Sequence, residues 1–113
     1  QGAVGGGITV LNADAEITGN RVDGVAANLE LGTGDGITFG LGATCTVTGN
    51  SVTGCAYNGI VFAEGATGSI AGNTVTGAGR HGIREYCIAE SNDVTVGENT
   101  LSDNTLGDQQ LCQ

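Results

Sequence analysis

The chain has 113 residues and a formal charge of −9, with twelve acidic residues, three arginines and no lysine. That balance repels phosphate backbones and anionic bilayers, so it argues against nucleic-acid and membrane partners. With 22 glycines, no proline, methionine or tryptophan, and only two phenylalanines and two tyrosines, the apolar supply is Ile, Val, Leu and Ala, which suits a narrow, regular interior within a single domain, residues 1–113. No apolar run reaches membrane-spanning length. No signal peptide is recognisable, and a start at Gln1 is compatible with removal of a leader.

In chain order, Gln1 to Gly6 is a glycine-rich lead-in. Four tetrads follow: Gly7-Ile8-Thr9-Val10, Gly36-Ile37-Thr38-Phe39, Gly59-Ile60-Val61-Phe62 and Gly82-Ile83-Arg84-Glu85. Their glycines are 29, 23 and 23 residues apart. A second marker is an x-Gly-Asn-x-Val-x-Gly unit, clearest as Val47 to Gly54, repeated around Asn20 and Asn73 and more faintly around Asn99, with Asn spacings of 30, 23 and 26. Both markers give a basic repeat of 23 with two insertions. Within each repeat, apolar residues alternate with Thr or Ser, as in Ile37-Thr38-Phe39, Cys45-Thr46-Val47 and Ser51-Val52-Thr53. Such alternation predicts three short half-buried strands per repeat, with Gly and Asn at the corners.

Three strands and three corners close one turn of a right-handed parallel β-helix. The expected rungs are about 7–35, 36–58, 59–81 and 82–107, with a partial capping rung at 108–113. A left-handed hexapeptide solenoid needs turns near multiples of six, which 23 does not match. Stacking puts Asn20, Asn50, Asn73 and Asn99 in one column, where their amides can bond from rung to rung. The extra residues fall within Val25 to Asp35 and near Ala89 to Asp93.

Four cysteines in a small acidic chain suggest an oxidising, extracellular setting with two disulfides. Cys112 is expected almost above Cys87, which leaves Cys45 with Cys55, though spacing alone leaves the other two pairings open. No Cys/His spacing suits zinc. Gly77-Ala78-Gly79-Arg80-His81-Gly82 spells a dinucleotide fingerprint, but a strand rather than a helix follows it, and no cofactor is expected. Gly32 to Ile37 echoes a calcium-binding repeat only once, so no metal site is expected either.

The densest polar cluster is Arg80, His81, Arg84, Glu85 and Tyr86. Arg with His or Tyr is the combination that neutralises a uronate and moves a proton. Glu85, however, takes the place of Phe39 and Phe62, and adjacent rungs offer Thr38, Val61 and Ala63. An interface or ligand cluster is therefore the expectation, with no catalytic residue assigned. The Thr columns that could order ice are broken by Ala71, Gly97 and Asp23.

The Ile/Val-x-Gly-Asn-x-Val-x-Gly units resemble the repeats of the pectin-lyase-like superfamily, as in NosD-type proteins, mannuronan epimerases and phage tailspikes. The likeness spans about residues 7–104 and implies the right-handed β-helix; no catalytic motif of the superfamily is matched, so it implies no catalytic residue. The resulting expectation is an extracellular structural or adhesive module, non-enzymatic, that self-associates end to end through its open solenoid ends. A carbohydrate-binding or polysaccharide-cleaving β-helix is the alternative, and ice binding a third.

Overall fold

The computed structural model describes residues 6–27, 33–86 and 92–111. The first turn contributes β1 (Gly6–Leu11), β2 (Asp14–Thr18) and β3 (Arg21–Asp23). The second contributes β4 (Asp35–Gly40), β5 (Thr44–Thr48) and β6 (Ser51–Thr53), and the third β7 (Ile60–Ala63), β8 (Thr67–Ala71) and β9 (Thr74–Thr76). The fourth holds β10 (His81–Tyr86), β11 (Asp93–Val96) and β12 (Thr100–Ser102), and β13 (Gly107–Gln110) opens a fifth. The strands form three parallel sheets, ordered β1-β4-β7-β10-β13, β2-β5-β8-β11 and β3-β6-β9-β12. This is a parallel β-helix of about four turns, the all-β solenoid that the alternation predicted.

Ile8 pairs with Ile37, Ile37 with Ile60, Ile60 with Ile83 and Ile83 with Gln109, so successive turns advance by 29, 23, 23 and 26 residues. The strands stay in register although the turns differ in length, because the extra residues are taken up at corners. Inward side chains stack like on like, which is how a bore this narrow is filled without large residues. Phe39 and Phe62 stack with centroids 5.7 Å apart. Val47 pairs with Ile70, and Val22, Val52 and Val75 form a column along the third wall. All are buried.

Glycine is required where the third wall closes on the first. A Cβ on Gly36 would stand 2.6 Å from Val52 Cγ1, 2.7 Å from the Gly59 carbonyl and 2.9 Å from Cys55 Sγ. The tetrad glycine is thus fixed by close approach, with the Val column occupying the space a side chain would need.

Asn50 and Asn73 are buried at the corner between the second and third walls. Asn50 Oδ1 accepts from the backbone N–H of Asn20 (2.9 Å) and its side-chain amide (3.1 Å). Asn50 in turn donates through both groups to Asn73 Oδ1, at 3.0 and 2.8 Å, and Asn73 does the same to Asn99 Oδ1, at 3.0 and 2.9 Å. The ladder therefore has a direction: each rung donates to the next one along the chain.

The cysteine expectation needs correction. Cys45 and Cys55 are both buried free thiols. Cys45 points into the bore from β5, whereas Cys55 follows β6 on a different wall, where its Sγ, like Val52 Cγ1, lies within 3 Å of where a Gly36 Cβ would stand. Flanking the same corner in sequence does not bring the two together. Cys87 and Cys112 lie outside the described residues, as do parts of both insertions.

Candidate functional site

The expected polar cluster divides between a corner and a strand. Arg80 sits at the corner before β10, its guanidinium carbon 3.8 Å from the centre of the Tyr57 ring. The ring's other neighbour is Gly34, where a Cβ would come within 3.3 Å of Tyr57 Cγ. Backbone bonds tie the same corner together rung by rung: Tyr57 N–H to Gly34 O, Arg80 N–H to Tyr57 O and Leu106 N–H to Arg80 O, each 3.0 Å. Arg80 thus belongs to a vertical stack of Gly34, Tyr57, Arg80 and Leu106, a cation–π arrangement on the outside of the corner.

Beside that stack runs a second ladder. Asn58, buried, donates its backbone N–H (2.9 Å) and side-chain amide (3.1 Å) to Asp35 Oδ1, and the His81 N–H donates to Asn58 Oδ1 at 3.0 Å. Burial pushes the Asp35 carboxyl above its ordinary value, against the opposing effects of the Asn58 hydrogen bonds and the Arg80 charge. At the other end of the column, His81 Nδ1 is buried and has no hydrogen-bond partner. Burial, and then the charge of Arg84, hold the imidazole below its ordinary pKa, so it is neutral at pH 7.

On β10, Arg84 faces outward. Its guanidinium carbon lies 4.7 Å from the centre of the Tyr86 ring, Nη1–H donates to Gln110 Oε1, and Nε–H reaches Glu85 O at 3.4 Å. Glu85 pairs with Phe62 in register, so it ends the Phe column, and its Oε2 accepts from the Asn92 amide at 3.0 Å. Asn92 Oδ1 accepts from the N–H groups of Gly65 (3.1 Å) and Ala66 (2.9 Å), clamping the corner between the first and second walls. The remaining arginine, Arg21, forms an ion pair with Asp23 at 2.7 Å. A hydrogen bond from Thr53, more than the Arg21 charge, holds the Asp23 carboxyl below its usual range.

These groups therefore bind mainly one another. His81 Nδ1 is buried beside them, and a separate recess lies elsewhere on the molecule. That recess is an open polar depression of about 500 Å³ at the C-terminal end of the bore, lined by Gly72, Gly97, Glu98, Asn99, Thr100 and Gln109. Among the described residues, no three His, Cys, Asp or Glu side chains are placed to hold a metal ion. Among the described residues there is no helix long and apolar enough to cross a membrane. On the second wall the Thr44 and Thr67 hydroxyls bond to each other at 2.7 Å, between Asp14 and Asp93 in the same column.

Sequence reading missed Tyr57, Asp35, Asn58, Asn92 and Asn104. For the first three the signal was present, since Tyr57 precedes Arg80, Asp35 precedes Asn58 and Asn58 precedes His81 by one repeat of 23 residues. Asn104 Oδ1 accepts from the Ala78 N–H at 2.9 Å and has no counterpart in other turns to mark it.

The family model described as "Right handed beta helix region" matches residues 1–110. No curated protein and no solved structure gives a significant match. The β-helical architecture, the 23-residue repeat and this near full-length match agree: the chain belongs to the right-handed β-helix family.

Proposed function

We propose that this β-helix is an extracellular structural or adhesive module, non-enzymatic, that associates end to end with copies of itself. The observation that carries the reading is the state of the two ends. Strands β1, β2 and β3 at one end, and β11, β12 and β13 at the other, each have a described neighbour on one side only. Both edges carry half-buried apolar side chains, Ile8, Val10 and Ala15 on one and Val94, Val96, Leu101 and Leu111 on the other. Open strand edges beside apolar residues are what β-strand addition uses. The extracellular placement rests on the acidic, lysine-free composition and on Cys87 and Cys112. Light scattering over a dilution series tests the association: the mean mass is expected to rise with concentration, and a single-chain mass at every concentration overturns the reading.

A second reading, binding of an acidic carbohydrate, is supported by the pairing of Arg80 with Tyr57 and Arg84 with Tyr86 on the outer surface of an otherwise acidic chain. Calorimetric titration with uronic-acid oligomers tests it, with the heat of binding lost in Arg80→Ala and Arg84→Ala. Absence of any heat with the unsubstituted chain removes it.

A further inference from the structure

We propose that β13 is a polar stop strand, occupying the place on β10 that β1 of a second copy takes when two chains join. The inference rests on the end-to-end association above and specifies how it is controlled. Three features of the C-terminal end support it.

First, β13 interrupts a column. The inward series Ile8, Ile37, Ile60 and Ile83 continues into Gln109, and the strand's residues Asp108, Gln109 and Gln110 are all exposed. Strand β1 carries the sequence Gly-Gly-Ile-Thr-Val-Leu. Set on β10 in the register of the other turns, its Ile8 would cover Ile83, restoring the apolar stack that Gln109 ends.

Second, the Asn ladder is left open with complementary groups. Its direction leaves Asn20 Oδ1 without a donor at the first turn and the Asn99 backbone N–H without an acceptor at the last, among the described residues. Placing the first turn of a second copy over the last turn of the first brings that acceptor to that donor, in the geometry used three times within the chain. The same placement puts Ala15 and Ile17 over Val94 and Val96, and Val22 over Leu101. It also sets Asp14 beside Asp93 and Val10 over Glu85, two mismatches in a joint whose other inward positions are apolar.

Third, the strand count is out of phase. Each turn adds one strand to each wall, and among the described residues the first wall has five strands and the other two have four. While β13 is in place, a second copy cannot pair with β11 and β12 in this register, because its β1 meets β13. Displacing β13 levels the end, and the polar recess beside Gln109 and Asn99 becomes part of the joint.

The test uses the full chain, with Cys87→Ser and Cys112→Ser to avoid thiol exchange. Arg84→Cys with Gln110→Cys places thiols at paired positions of β10 and β13; oxidation locks β13 down and reduction frees it. Expected is an assembly threshold at least tenfold higher in the oxidised form than in the reduced form. A second variant, Gln110→Pro, removes the N–H that faces β10, since in this register residue 109 turns its own N–H to the open edge, and is expected to lower the threshold below that of the unsubstituted chain. If locked and unlocked forms assemble alike, or Gln110→Pro leaves the threshold unchanged in a chain that does assemble, the stop-strand role is overturned and end-to-end association stands. If the unsubstituted chain remains a single chain at every concentration, end-to-end association is overturned and the stop-strand role falls with it.

Discussion

Asn58 gives two hydrogen bonds to a single oxygen of Asp35, one turn earlier in the chain. It thereby runs against the Asn20 ladder, in which each rung donates to the turn that follows. A carboxylate can head such a column because the position requires only an acceptor.

The charge on Asp35 is then a cost without a structural need. Its native pKa is raised above 3.8, so the native state loses stability as pH rises through that raised value, and the loss is absent below 3.8, where folded and unfolded chains are both protonated. Asp35→Asn keeps the accepting oxygen and removes the charge. Urea melts are expected to show the variant more stable than the parent at pH 7 and equal to it near pH 3. A variant less stable at pH 7 would show that the ionised form is required.

The ladder should fail most severely at its middle. Asn50→Ala leaves the Asn20 N–H without its acceptor and the Ile17 carbonyl without the amide that reaches it at 2.8 Å, and takes one of the two donors from Asn73 Oδ1, at a position that is itself buried. A loss of about 3 kcal/mol is expected. Asn99→Ala disturbs a half-buried end that water can reach and is expected to cost about 1 kcal/mol. Equal losses at the two positions would mean that burial does not set the strength of these bonds.

Leu41 is held at φ 53° with its side chain 48% exposed, at a corner where Asn12 and Glu64 adopt the same left-handed conformation in the adjacent turns. A leucine gains nothing there from burial and pays for the conformation, whereas asparagine tolerates it. Leu41→Asn is expected to stabilise the fold by about 1 kcal/mol in chemical denaturation.

The buried thiols predict a clear reactivity pattern. Burial raises the pKa of Cys45 and pushes that of Cys55 up to about 11, so neither supplies much thiolate at pH 8. Titration with a thiol reagent is expected to find Cys45 and Cys55 unreactive in the folded chain and both reactive in urea without reductant. Rapid reaction of either in the folded chain contradicts the packing described for the bore.

The repeat was legible because its markers recur in every turn: a glycine before Ile, and an asparagine two residues before the Val or Leu of each third-wall strand. Glycine and asparagine recur for separate physical reasons, close approach to Val52 at one corner and amide bonding at another, so two markers gave the same spacing independently. The Asp35–Asn58–His81 column was not legible by that route. Its three members are different residue types that share only a backbone position, and the last of them, His81, had been grouped with Arg84 by charge and neighbourhood in sequence. Cys45 and Cys55 misled for a related reason, since sequence distance across a corner says nothing about which wall a side chain points from. The size of the turns was readable, but the phase of the last strand was not, because Gln109 breaks the apolar pattern that located the others.

The first turn, 30 residues between Asn20 and Asn50 where the next takes 23, leaves the pairing of Arg21, Val22 and Asp23 with Ser51, Val52 and Thr53 undisturbed. The register accommodates the extra residues of this turn, provided that Val25, buried in the core, and Gly34, against Tyr57, keep their places. A foreign peptide grafted at that corner would be displayed at a fixed place on the solenoid, tethered at both ends, without shifting the side chains that fill the bore.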